Sequence, residues 1–222
     1  MAIVIPVEGT DLCPSSAALE DAEESGQLQT LAFATNCQHD QLDRPTAGYT
    51  GICFGPMDPT DRSSQTHQRR LLTVAHEFTH ILGMNSYDMP FFYSHATGRP
   101  RTPRDARNRP PEAEALCVDG KHRTVPMASQ DTVRPVTTAN GYVAYEVVTE
   151  TVVNVVRNQL DCQEAAVAGR LENQPTGDSD CFGSHWDHRL FHNEFMTAVY
   201  TGSRQYVTAL TLALLEDSGW YV

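Results

Sequence analysis

The side chains best suited to chemistry lie together in His76-Glu77-Phe78-Thr79-His80. In a helix, residues four apart share one face, about one turn from each other, so both imidazoles can reach a single ion. Glu77 sits beside the first histidine. From there it is better placed to hold a metal-bound water and take its proton than to bind the same ion. A zinc ion lowers the pKa of its water toward about 7 and polarises a nearby carbonyl. The chemistry that follows is hydrolysis of a peptide bond with no covalent intermediate, with Glu77 as general base. The bland alternative is two surface histidines beside a solvated carboxylate.

A catalytic zinc usually takes three protein ligands and a water. One option for the third is a glutamate further on, Glu146 or Glu150. Another is a histidine from the cluster His185, His188 and His192 in GSHWDHRLFHNEFM. No histidine follows Gly83 closely; the next is His95. The residues alone leave both options open.

These groups need elements to hold them. Residues 68–82, QRRLLTVAHEFTHIL, carry Leu71, Val74, Ala75, Phe78, Ile81 and Leu82 at helical spacing. Gly83 then offers a stop through positive φ. Upstream, residues 3–7, 31–35 and 49–54 read as strands separated by turn material such as DRPTAG. Downstream, residues 142–148 alternate like a strand, and Thr149 or Thr151 can cap a helix reaching about residue 160. A Gly/Asp/Ser-rich loop, PTGDSDCFGS, leads into His185. Residues 205–217 read as a final helix stopped by Ser218-Gly219. The stretch 98–111 holds five arginines and four prolines; it reads as an exposed loop, or more sharply as a docking patch for an acidic partner.

The chain has 222 residues, 40% hydrophobic and 20% charged, which suits one large domain or two small lobes. Its formal net charge of -12 repels phosphate backbones, so nucleic acid is not an expected partner. No apolar run approaches the roughly 20 residues of a membrane helix. The opening MAIVIPVEGT lacks the basic region and cleavage site of a signal peptide. Six cysteines without a CxxC pair argue against a thiolate zinc site; they fit disulfides in an oxidising compartment, with room for a few free thiols. No N-x-[ST] acceptor is present.

Several motifs in order resemble the leishmanolysin-like metallopeptidases, a metzincin branch that includes the invadolysins. They are LAFATNCQ, DRPTAG, HEFTHILGM, FFYSHATGRPRTPR, LENQ at 171–174, GSHWDHRLFHNEFMT and TLALLEDSGWY. The resemblance implies that His185 is the third zinc ligand beside His76 and His80, with Glu77 catalytic and one catalytic Zn2+ bound. It implies that Met196 is the methionine of a Met-turn under the metal. His188 and His192 then read as structural. Leu31, Ala32, Phe33, Ala34 and Thr35 become an edge strand that binds extended substrate through its main chain. Gly83 becomes the hinge where the chain leaves the active-site helix.

The fold implied is α+β, a metzincin-like two-lobed zinc peptidase domain whose N-terminal lobe is truncated, with the first strands and backing helix missing. Residues 1–83 would form the lobe with the sheet and active-site helix. Residues 84–222 would carry His185, Met196 and the last helix. The function implied is a zinc-dependent endopeptidase acting on protein or peptide substrates, secreted or in a cell-surface or endomembrane lumen setting. Any membrane attachment would come through segments absent from this chain. The alternative is a non-catalytic, zinc-stabilised adhesion or binding module on the same fold, although a purely structural site has no need of Glu77.

Overall fold

A computed structural model describes residues 2–7, 13, 30–53, 60–117, 120–164, 166–172, 183–200 and 203–221. The chain divides into two compact units, Met1–Leu82 and Gly83–Val222.

The first unit is a three-stranded sheet carrying one helix. Strands β1 (Ala2–Val7), β2 (Ala32–His39) and β3 (Pro45–Cys53) stand in the order β1-β3-β2. β1 runs parallel to β3 and β2 antiparallel to it. β2 therefore forms an edge, running longer than the 31–35 expected. Leu31 lies just before it, yet its carbonyl still accepts from the Cys53 N–H at 2.9 Å. The register slips around Cys37 and Gln38, which bulges the far end of β2.

Helix α1 spans Ser64–Ile81, one turn earlier than the apolar spacing suggests. Polar capping sets the start. Ser63 Oγ accepts from the Thr66 N–H at 3.2 Å, and Asp61 accepts from the Ser63 N–H at 2.8 Å and from the Thr66 hydroxyl. The helix packs mainly on β2 and also on β3. Its apolar positions divide: Ile81 is buried and Val74 and Ala75 half-buried, while Leu71, Phe78 and Leu82 are exposed.

Two glycines let this packing close. Phe33 lies opposite Gly51, where a Cβ would come within 2.4 Å of the Phe33 ring. A Cβ on Gly48 would meet Ile81 Cγ2 at 2.6 Å and the Thr35 carbonyl at 2.7 Å. The second contact is backbone and yields little. Gly48→Ala is therefore expected to destabilise the first unit by about 1–3 kcal/mol, read as a lower denaturant midpoint. A disulfide joins Cys13 to Cys53, closing a separation of 40 residues.

The second unit is built from hairpins and two helices. β4 (Tyr93–Ser94) pairs with β5 (Arg99–Pro100), and β6 (Glu112–Leu116) with β7 (His122–Pro126). β8 (Val133–Thr137), β9 (Val143–Val147) and β10 (Gly169–Arg170) make an antiparallel sheet in the order β10-β9-β8. α2 (Glu150–Gln159) packs against α3 (Ala209–Asp217). Thr149 occupies the N-cap position of α2 without a side-chain cap bond. The last helix starts four residues later than expected, because the Thr208 hydroxyl caps it by accepting from the Leu210 N–H. The core holds Trp186, Leu171, Val152, Val156, Leu210, Leu214 and Met196, each with no exposed surface.

Cys117 is also disulfide-bonded, whereas Cys37 and Cys162 are free thiols. Most of 98–111 is exposed, as expected of a loop, but three of its arginines are engaged: Arg101 Nε donates to the Asp217 carbonyl, Arg104 stacks on Phe91 and Arg109 pairs with Asp105 at 3.0 Å. No helix among the described residues is long and apolar enough to cross a membrane. Phe54 and most of the loop before His185 lie outside the described residues.

Candidate functional site

In the first unit, α1 carries His76, Glu77 and His80 near its C-terminal end. The Nε2 atoms of His76 and His80 are 3.1 Å apart, and the rings meet edge to face at a centroid distance of 4.8 Å. Two ligands of a tetrahedral ion with bonds of about 2.0–2.1 Å stand about 3.3 Å apart. The pair is thus spaced as two ligands of one small cation would be.

Glu77 is buried at 5% exposure, and its Oε2 has no hydrogen-bond partner among the described residues. Burial without a compensating charge pushes its carboxyl up to about 8. A buried carboxylate oxygen left unpaired costs stability unless a polar or charged group meets it. Two imidazole nitrogens at this spacing fit a divalent ion, and the same helix carries a buried carboxylate oxygen without a partner among the described residues. Gly83, at φ 116°, follows the helix end in a conformation that L side chains rarely adopt.

In the second unit, His185 and Met196 lie on adjacent backbone. The Trp186 N–H donates to the Met196 carbonyl at 3.0 Å in a parallel bridge that pairs Trp186 with Thr197, so the backbone at His185 runs alongside the backbone at Met196. Met196 is fully buried. Glu194 anchors the same segment to α3 by accepting from the hydroxyls of Thr208 and Thr211. Burial pushes its carboxyl up despite these bonds. The Ser86 N–H donates to Ser184 Oγ at 3.1 Å, tying the chain after Gly83 to the residue before His185. Asp187 is buried too. Burial works to raise its carboxyl, but hydrogen bonds from Arg189 outweigh that and hold it below the usual range.

His185 Nδ1 faces a carboxylate, Glu172 Oε1, at 2.6 Å, with both residues buried. The motif LENQ contains Glu172, but nothing in its spacing to His185 announces the contact; it depends on a bridge between Leu171 and Trp186. The other candidate ligands are engaged or exposed. Glu146 lies on β9 between Arg134 and Arg170, at 3.0 and 2.6 Å, so both its oxygens serve ion pairs. Glu150 is exposed at the start of α2. His188 Nδ1 meets the Thr197 hydroxyl at 3.3 Å, and His192 is exposed.

Comparison with known proteins gives a consistent answer. The family model for leishmanolysin matches residues 113–222, the half that carries His185 and Met196. A leishmanolysin-like peptidase of Drosophila pseudoobscura pseudoobscura is 35% identical over 201 residues, covering 86% of this chain and 27% of that protein. A leishmanolysin-like peptidase of Caenorhabditis elegans is 33% identical over 209 residues, covering 90% of this chain and 30% of that protein. The ciliated left-right organizer metallopeptidase of Xenopus laevis is 26% identical over 199 residues, 89% of this chain and 23% of that protein. The chain spans less than a third of the length of these relatives.

Proposed function

Since the chain belongs to the leishmanolysin family of peptidases, we propose that it is a metzincin-like, zinc-dependent endopeptidase domain cleaving protein or peptide substrates. The observation that carries this reading is the pair of imidazole nitrogens 3.1 Å apart on α1, the helix that also holds Glu77 with a buried oxygen left without a partner among the described residues.

His76, His80 and His185 are the proposed donor set, three imidazoles of the kind zinc takes in catalytic sites. An ion held there would supply Lewis-acid polarisation of the scissile carbonyl and a water of lowered pKa. The protein's own groups do the rest. Glu77 takes the proton of the attacking water and passes it to the departing amine. Met196, fully buried, provides an apolar floor beside His185. The edge strand β2, from Ala32 onward with Leu31 just before it, offers its main chain to an extended peptide. Gly83 turns the chain away from the active-site helix. The paired Cys13–Cys53 and the bonded Cys117 support an oxidising setting, secreted or lumenal.

The test is metal content together with digestion of an unfolded protein such as casein. The expected result is about one zinc per chain, as for a single catalytic site, with cleavage stopped by a chelator and restored by zinc. His185→Ala is expected to lose the metal. Cleavage that ignores the chelator, or His185→Ala with full zinc content, overturns this assignment. Zinc binding with no cleavage at all overturns the enzyme and leaves a binding module.

A further inference from the structure

We propose that Glu172 is the positioning residue of His185, fixing the tautomer and direction of its ring so that Nε2 is presented to a metal. The inference rests on His185 being a ligand, as proposed above.

Three features of the second unit bring the two residues together. The Glu172 N–H donates to the His185 carbonyl at 2.9 Å, and the Gly183 N–H to the Glu172 carbonyl at 3.4 Å. This short ladder sets the side chains against each other. Glu172 Oε1 then lies 2.6 Å from His185 Nδ1, with Glu172 7% exposed and His185 8%. Gly183 makes the room, since a Cβ there would fall 1.8 Å from Glu172 Cγ. The backbone at Gly183 is thus closed to any larger side chain while Glu172 holds its place.

The chemistry follows from the contact. A carboxylate accepts and does not donate, so Nδ1 carries the proton and Nε2 keeps its lone pair. A histidine that ligates a metal through one nitrogen commonly donates the other N–H to a carboxylate, which fixes the ring and raises its basicity. An ion pair serving only the core would need no particular nitrogen left over, so a readout of the tautomer separates the two roles.

The test compares Glu172→Ala and Glu172→Gln with the parent protein in two measurements. Competition with a chromogenic chelator reads zinc affinity. Long-range proton–nitrogen spectra of the metal-free protein read the His185 tautomer. Glu172→Ala is expected to weaken zinc binding about 10–100-fold and to shift the ring proton from Nδ1 toward Nε2. Glu172→Gln keeps an acceptor oxygen without the charge, so the tautomer holds and affinity falls less, by about 10-fold. Unchanged affinity and tautomer in Glu172→Ala overturn the proposal. If that variant does not fold, unchanged affinity in Glu172→Gln overturns it. His185→Ala keeps the two failures apart. Should it retain zinc, the ligand assignment fails, while the metal-free spectrum still judges Glu172.

Discussion

Glu77→Gln is expected to lower kcat/KM for peptide cleavage about 10²–10⁴-fold, the usual worth of a general base, with zinc content unchanged. Glutamine keeps the length and shape of the side chain, so α1 and the His76–His80 pair are left in place. What disappears is the capacity to take a proton. The geometry points to this residue because its Oε2 is buried and has no hydrogen-bond partner among the described residues. Thr79 Oγ1, by contrast, donates to the Ala75 carbonyl at 2.8 Å. Glu77→Asp draws the carboxylate back by one methylene on a helix whose position is fixed, and is expected to fall between the parent and the glutamine variant. The measurement is initial rates on a quenched peptide, with zinc assayed in the same samples. A zinc-loaded Glu77→Gln that still cleaves at the parent rate removes Glu77 from the mechanism. Loss of zinc in that variant makes the carboxylate a ligand instead.

The parts of this site legible in the sequence are those built by local periodicity. HEFTH lies in a helix because apolar and good helix-forming residues recur through 68–82, and its two histidines meet because residues four apart on a helix must. The strands around Ile3, Phe33 and Ile52 show as β-branched and aromatic runs. Boundaries were less legible wherever a side chain rather than a pattern decides them. Asp61 and Ser63 start α1 earlier than its apolar spacing, and Thr208 delays α3. The hairpins of the second unit are hardly visible at all. EAEAL, which forms β6, is composed of helix formers and becomes a strand by pairing with residues 122–126. The Glu172–His185 contact and the two arginines that claim Glu146 were hidden for the same reason. Each joins segments distant in sequence, and only the folded backbone brings them to bonding distance.

Trp186→Ala is expected to cost the most stability, about 3–5 kcal/mol, as large aromatic truncations in a closed core do. The indole has no exposed surface. It fills the space that Gly169 leaves by lacking a side chain, since a Cβ there would stand 2.8 Å from the ring. It meets Phe191 edge to face at 6.0 Å. Its Nε1 donates to Thr211 Oγ1 at 3.0 Å, and Thr211 in turn donates to Glu194. One side chain thus joins β10, the start of α3 and the segment bearing Met196. The mutation leaves a cavity and strips the Thr211 hydroxyl of a donor, so two penalties add. Trp186→Phe keeps a six-membered ring but loses the N–H and the volume of the second ring, for a smaller expected cost of about 1–3 kcal/mol. Chemical denaturation followed by circular dichroism reads both. A cost below about 1 kcal/mol for the alanine variant, less than truncating even a smaller core side chain, would mean that Trp186 does not organise this core. Because the Trp186 backbone also pairs with Leu171 and Thr197, loosening it frees His185 from both sides. Zinc affinity should therefore fall with stability in Trp186→Ala, whereas the Glu172 variants should weaken the metal more than they weaken the fold. That difference in proportion separates a residue that holds the core from one that aims the ligand.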